Sequence, residues 1–215
     1  MAIITKSILG GISGKVGKFV YSSWKGKPYV RSAAEHITNP MTQGQLEQRA
    51  RFTLILRFLR PLTLFLREGF YRKQGSISPF NSAMSYHLKN AVAGTYPDYR
   101  IDYSKVLVSR GNLPGASNPA ARLSPAGEIE FTWENNSIDS DAMPDDRALL
   151  LVYNSNKQEV VSIVGGNLRV NGSQLVALPS TFEGDELHCY IAFQNVYKLI
   201  VSDSQYLGRI RISRI

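Results

Sequence analysis

The chain is poor in cysteine, in long apolar runs and in the residue groupings that catalysis needs, and each shortage removes a class of protein. A single cysteine, Cys189, among 215 residues excludes an internal disulfide and any multi-cysteine zinc site, and it points to a reducing compartment. No apolar run approaches the roughly 18 residues a membrane-spanning helix requires. The first apolar stretch, Ala2-Ile3-Ile4, is cut short by Lys6 and the glycines, so no secretory signal is expected. A cytoplasmic or virion-associated location follows. The three histidines, His36, His87 and His188, contain no helical i, i+4 pair that would hold zinc. His188 and Cys189 are neighbours, so on a strand they point to opposite faces and cannot work as a nucleophile–base pair. There is no Gly-x-Ser-x-Gly elbow. The run Gly10-Gly11-Ile12-Ser13-Gly14-Lys15 departs from a phosphate loop, because Leu9 stands where the first glycine belongs and Val16 follows the lysine. The expectation is a non-enzymatic protein without cofactor, metal or small-molecule substrate.

Charge is where the sequence is most uneven. The chain has 25 Lys and Arg against 17 Asp and Glu, a net +8. Residues 1–100 carry 15 basic against 4 acidic side chains, a net +11, and residues 101–215 carry 10 against 13, a net −3. A basic half joined to a mildly acidic half suits a nucleic acid, an acidic protein surface or head-to-tail self-association. The acidic residues Asp139, Asp141, Asp145 and Asp146 crowd one loop, but the ordered calcium-loop pattern is missing, so a solvated acidic loop is expected.

Local patterns divide the chain into an α-rich front and a β-rich back, an α+β protein. Period-two alternation of β-branched and aromatic residues over 15–21, the turn Trp24-Lys25-Gly26-Lys27 and the stretch Pro28-Tyr29-Val30-Arg31 predict an N-terminal β-hairpin. Such a hairpin is marginal alone and must dock on something. Asn39-Pro40-Met41-Thr42-Gln43-Gly44-Gln45 reads as a helix start, with Thr42 and Gln45 as a capping box. The helix predicted over 43–60 has an apolar arc of Phe52, Ile55, Leu56 and Leu59, extended by Leu54 and Phe58, wider than one packing partner needs. Pro61 ends it and allows a second helix over 62–70. Ser78-Pro79 opens a third, stopped by Gly94. From 103 onward, short strands alternate with turn clusters, the spacing of a Greek-key β-sandwich, with Trp133 as a core anchor. The segment from Gly111 to Pro119 marks the seam, giving expected domains 1–100 and 101–215.

These residues carry a resemblance. Gly14-Lys15-Val16-Gly17, Trp24-Lys25-Gly26, Tyr29-Val30-Arg31, Asn39-Pro40-x-Thr42-x-x-Gln45-x-x-x-Arg49 and Ser202-Asp203-Ser204-Gln205-Tyr206-Leu207-Gly208 resemble an uncharacterised bacterial family common in Bacteroidetes. The hairpin followed by Asn-Pro-x-Thr-x-x-Gln is more distantly similar to phage-associated proteins. The back half is similar to immunoglobulin and fibronectin type III domains in strand count and spacing. The resemblance implies an architecture and an assembly context, and it supplies no catalytic residues.

The basic, aromatic front is therefore the candidate site. Phe19, Tyr21, Trp24, Tyr29 and Arg31 on the hairpin, with Arg49, Phe52, Arg57, Phe58 and Arg60 on the first helix, are expected to form a protein interface, since Trp, Tyr and Arg are the usual anchors. That reading makes the chain a structural protein that self-associates or docks on a larger particle of a phage-like kind. The alternative uses Lys15, Lys18, Lys25, Lys27 and Arg31 on backbone phosphates, with the rings stacking on bases.

Overall fold

A computed structural model of the chain describes residues 2–3, 13–24, 26–35, 39–70, 77–137, 141–195, 197 and 199–212. The chain forms two compact units, residues 1–42 and 43–215. The expected seam near residue 100 lies instead inside the second unit, because the helices and the back-half strands share one core.

In the first unit, four short strands, β1 (Ala2–Ile3), β2 (Gly14–Val16), β3 (Phe19–Trp24) and β4 (Lys27–Ser32), form an antiparallel sheet in the order β1-β4-β3-β2. The stretch expected to be one strand over 15–21 is folded back on itself. Val16 pairs with Phe19 across a two-residue loop, Gly17-Lys18, in which Gly17 has a φ of 56°. That left-handed geometry is what a tight hairpin turn demands, and glycine adopts it without a Cβ penalty. A second two-residue loop joins Trp24 to Lys27, with Gly26 at a φ of 76°.

The second unit opens with three helices, α1 (Gln43–Leu59), α2 (Thr63–Gly69) and α3 (Pro79–Asn90), close to the predicted spans. The Ser78 hydroxyl caps α3 by accepting from the Asn81 N–H at 3.2 Å, and Pro79 at the first turn forfeits only a donor that had no partner there. A two-strand ladder follows, β5 (Val92–Ala93) with β6 (Arg100–Ile101). Then come β7 (Ser117–Leu123), β8 (Ile129–Glu134), β9 (Arg147–Asn154), β10 (Glu159–Ile163), β11 (Ser173–Val176), β12 (Glu186–Asn195), β13 (Ile200–Val201) and β14 (Gln205–Arg211). One sheet of three strands runs β11-β8-β7; another of five runs β10-β9-β12, with β13 and β14 both paired to β12. All these strand pairs are antiparallel.

Two departures from the predicted strands have local causes. The supposed linker holds β7, whose Pro119 is tolerated because β7 is an edge strand with a bulge between Ser117 and Ala120. Leu168-Arg169-Val170, whose apolar-polar-apolar pattern predicts a short strand, leads instead into a 3-10 turn, Arg169–Asn171, closed by Gly172 at a φ of 73°.

The central strands are apolar on both faces. Leu149, Leu151 and Tyr153 of β9, with Tyr190 and Ala192 of β12, pack in one cluster with Ile55, Phe58 and Leu59 of α1 and with Phe65, Leu66 and Met84 of the other helices. The alternate residues Ala148, Leu150 and Val152, with Leu187, Cys189, Ile191 and Phe193, meet Ile129, Phe131 and Trp133 of β8 in a second cluster. Trp133 is thus the expected core anchor, its indole N–H donating to the Arg169 carbonyl at 2.8 Å. Period two on a sheet covered from both sides places helices on one face of the five-stranded sheet and the three-stranded sheet on the other.

Candidate interaction surfaces

The register of the N-terminal sheet sorts its side chains by face. Residues directly opposite one another share a face, so Val16, Phe19, Tyr21 and Val30 lie together, as do Lys15, Val20, Arg31, Tyr29, Trp24 and Lys27. One face is apolar; the other alternates cations with rings. Lys18 sits in the turn and forms an exposed ion pair with Glu35 at 3.7 Å. Lys25 lies outside the described residues. The five hairpin residues expected to act together are therefore split, with Phe19 and Tyr21 on the apolar face and Trp24, Tyr29 and Arg31 on the cationic one. No described side chain of this unit is buried; Val16 is 59 % exposed, Phe19 52 % and Trp24 68 %.

On α1 the expected surface residues also divide. Phe58 turns inward: it is 2 % exposed and packs edge-on against Tyr153 at 4.9 Å, so it belongs to the core and not to a docking face. The apolar side chains of α1 that face solvent are Phe52 and Leu56, neighbours at i, i+4. Arg49 and Arg57 line a cleft of about 720 Å³ whose other walls are Leu54, Tyr99, Arg100 and Ile101. Arg60 lines an adjoining recess with Arg57 and Lys157. Arg100 has no counterpart among the residues singled out from sequence. Nothing in its local pattern marks it, since it reaches the cleft only through the β5–β6 ladder.

The most elaborate polar site in the second unit is structural. Arg169 is fully buried and lies 3.1 Å from the Asp146 carboxylate. Its other N–H groups donate to the Pro114 and Gly115 carbonyls and to Asn136, and its guanidinium sits 3.8 Å from the Phe193 ring centre. Asp146 also accepts from Asn195 and from the Met143 N–H. The acidic loop thus contributes its last aspartate to an internal ion pair and not to a cation site. No cluster of three or more metal-ligating side chains occurs among the described residues, with Asp139 and His36 lying outside them.

The remaining histidines are embedded in packing. His87 hydrogen-bonds the Ala83 carbonyl at 2.7 Å while its Nε2 has no partner, and burial drives its pKa down to about 4. His188 stacks on Tyr103 at 3.7 Å and meets the Tyr206 hydroxyl at 2.9 Å; burial lowers its pKa as well. Cys189, on the opposite face, is buried with its thiol pushed up to about 12, which removes the thiolate that nucleophilic chemistry needs.

The profile of DUF6266, a family of unknown function, matches residues 11–208. The chain belongs to this family. The match takes in the second to fourth strands of the N-terminal sheet and nearly all of the second unit. A search among curated proteins finds no match. No helix among the described residues is long and apolar enough to cross a membrane.

Proposed function

We propose that the chain is a non-enzymatic assembly protein whose N-terminal sheet docks on a second copy. One observation carries this reading: the sheet has an apolar face, Val16, Phe19, Tyr21 and Val30, yet not one of its described side chains is buried. Burying such a face contributes roughly 25 cal/mol per Å², and a small sheet without a covering layer is marginal in water. Among the described residues the outermost strand, β2, pairs only with β3, so its far edge suits strand addition through backbone N–H and C=O groups. The exposed Phe52–Leu56 pair on α1 is a further apolar contact. The two back-half sheets fit an immunoglobulin- or fibronectin III-like sandwich acting as an outward module. The likeness of the N-terminal motifs to phage-associated proteins makes a larger particle the second possible host for the same surface.

Light scattering on the full chain tests the reading. The expected result is a mass above that of the monomer, returning to the monomer in the Val16→Asp/Phe19→Asp variant. A wild-type chain that stays monomeric at high concentration overturns it.

The cationic face of the sheet favours a second reading, nucleic-acid binding through Lys15, Lys27 and Arg31 with Trp24 and Tyr29 as stacking rings. Its signature is an affinity for oligonucleotides that falls steeply with salt. Gel shifts without retardation at low salt remove it.

A further inference from the structure

The cleft beside α1 is concave and cationic, and no carboxylate lines it. Arg49 and Arg57 stand eight residues apart on the helix, about 12 Å along its axis. Arg100 projects from the opposing wall, and Arg60 continues the row into the adjoining recess. Among the described residues, Arg57, Arg60 and Arg100 have no acidic group within ion-pair distance. Lys157, at the far end, is already held by Asp185 at 3.0 Å. Uncompensated guanidiniums gathered in a recess repel one another and focus a positive potential, so an anionic guest lowers the energy of the site.

The walls decide which anion. Base stacking, the usual supplement to phosphate contacts in single-strand binding, needs open ring faces, and here each ring is already engaged by a neighbour. Tyr103 is stacked on His188 at 3.7 Å, Tyr99 lies under the Arg51 guanidinium at 4.8 Å, and Tyr153 is closed off by Phe58. Between the arginines lie an aliphatic floor, Leu54, Pro97 and Ile101, and the neutral polar side chains Thr53, Ser155 and Gln158. Guanidinium forks over an aliphatic floor match carboxylate side chains alternating with apolar ones, the two faces of an extended peptide. The row from Arg49 to Arg60 spans about 16 Å, the reach of roughly five extended residues.

We propose that this cleft binds an extended acidic peptide segment of a partner protein, its carboxylates held by Arg57 and Arg100 and its apolar side chains laid on Leu54 and Ile101. All residues that line the cleft belong to the second unit, and the proposal does not depend on self-association. The test is fluorescence anisotropy of a short fluorescein-labelled peptide alternating Glu and Leu, titrated with the full chain at low salt. The peptide is expected to bind, its Lys-for-Glu counterpart is not, and Arg57→Ala/Arg100→Ala should weaken binding by about tenfold or more, as loss of two charge-assisted contacts implies. Both arginines are exposed or at the surface of the cleft, so thermal unfolding should be nearly unchanged, and Arg57→Lys/Arg100→Lys should retain part of the affinity. Val16→Asp/Phe19→Asp should leave peptide binding intact, which separates this site from the assembly surface. Failure of the wild-type chain to bind the peptide, or undiminished binding by the alanine variant, overturns the proposal. So does displacement of the peptide by oligothymidylate at lower concentration than by unlabelled peptide.

Discussion

The two units obey opposite rules of burial. Residues 43–215 hold a sheet covered on both faces, with β9 and β12 almost entirely inaccessible and a buried ion pair closing the loops at one end. Residues 1–42 make a sheet of comparable strand count with no buried described side chain. Backbone pairing alone can therefore specify the first unit's register, while the second is specified by packing. Hydrogen-bond ladders contribute little net stability because water competes for the same groups, so docking on a second copy, as proposed above, would add the apolar burial that the ladder does not supply.

The sharpest test of that contrast is the internal ion pair. Removing Arg169 leaves the Asp146 charge buried and unpaired and strips the Pro114 and Gly115 carbonyls of a donor. Arg169→Met should cost about 3–5 kcal/mol in urea unfolding of the second unit, the range for breaking one side of a buried pair. Replacing both partners, Arg169→Met with Asp146→Leu, should recover part of the loss. Recovery would show that the uncompensated charge and not the lost attraction sets the cost.

A second pair of variants compares like with like across the two units. Phe58→Ala opens a cavity among α1, Tyr103 and Tyr153 and should destabilise by about 3–5 kcal/mol. Phe19→Ala should change unfolding of the second unit by under about 0.5 kcal/mol, as surface substitutions do, while reducing the mass seen by light scattering. Equal stability losses at both positions would erase the distinction.

How far the sequence reaches follows the same division. Helix limits were legible because their signals are local: a Pro-bracketed start at residue 43 and a Ser-Pro start at 79. Most back-half strands were legible from alternation. The two-sided burial of β9 and β12 was not, since alternation says that two faces differ and not what covers each. Arg169 escaped notice because its partners are 23 to 55 residues away, with no spacing rule to link them. A helical wheel treats the apolar arc of α1 as one face and so puts Phe58 with the surface residues, whereas Ile55, Phe58 and Leu59 are buried and Phe52 and Leu56 are not. In the leader, the alternation over 15–21 concealed a turn at Gly17-Lys18, which exchanged the partners of Val16 and regrouped the face.

Acid should weaken the second unit through His87. Its folded pKa of about 4 lies below the ordinary value of 6.5, so the fold holds the neutral ring and the unfolded chain takes up the proton first. Stability is then complete above about pH 6.5 and declines as pH falls towards 4, by about 3 kcal/mol over the interval. His188, also lowered by burial, acts in the same direction, so the His87→Leu variant should flatten the pH dependence only in part. Urea midpoints measured from pH 7 to 4 that fall as steeply in the variant as in the wild type would locate the acid sensitivity elsewhere.

The smallest effect belongs to the turn that shapes the N-terminal sheet. Gly17 sits at a φ of 56° with open space where a Cβ would point, so Gly17→Ala meets backbone strain alone, about 1 kcal/mol. If the sheet is ordered by docking on a second copy, that cost falls on association: self-association should weaken about fivefold, and the unfolding midpoint of the second unit should stay put. Gly111→Ala is the counterpart in the second unit, where a Cβ would collide with the Val201 carbonyl and backbone must shift, so there the loss should register in unfolding itself. A Gly17→Ala chain that associates as tightly as the wild type would mean that the hairpin's geometry is not what the partner reads.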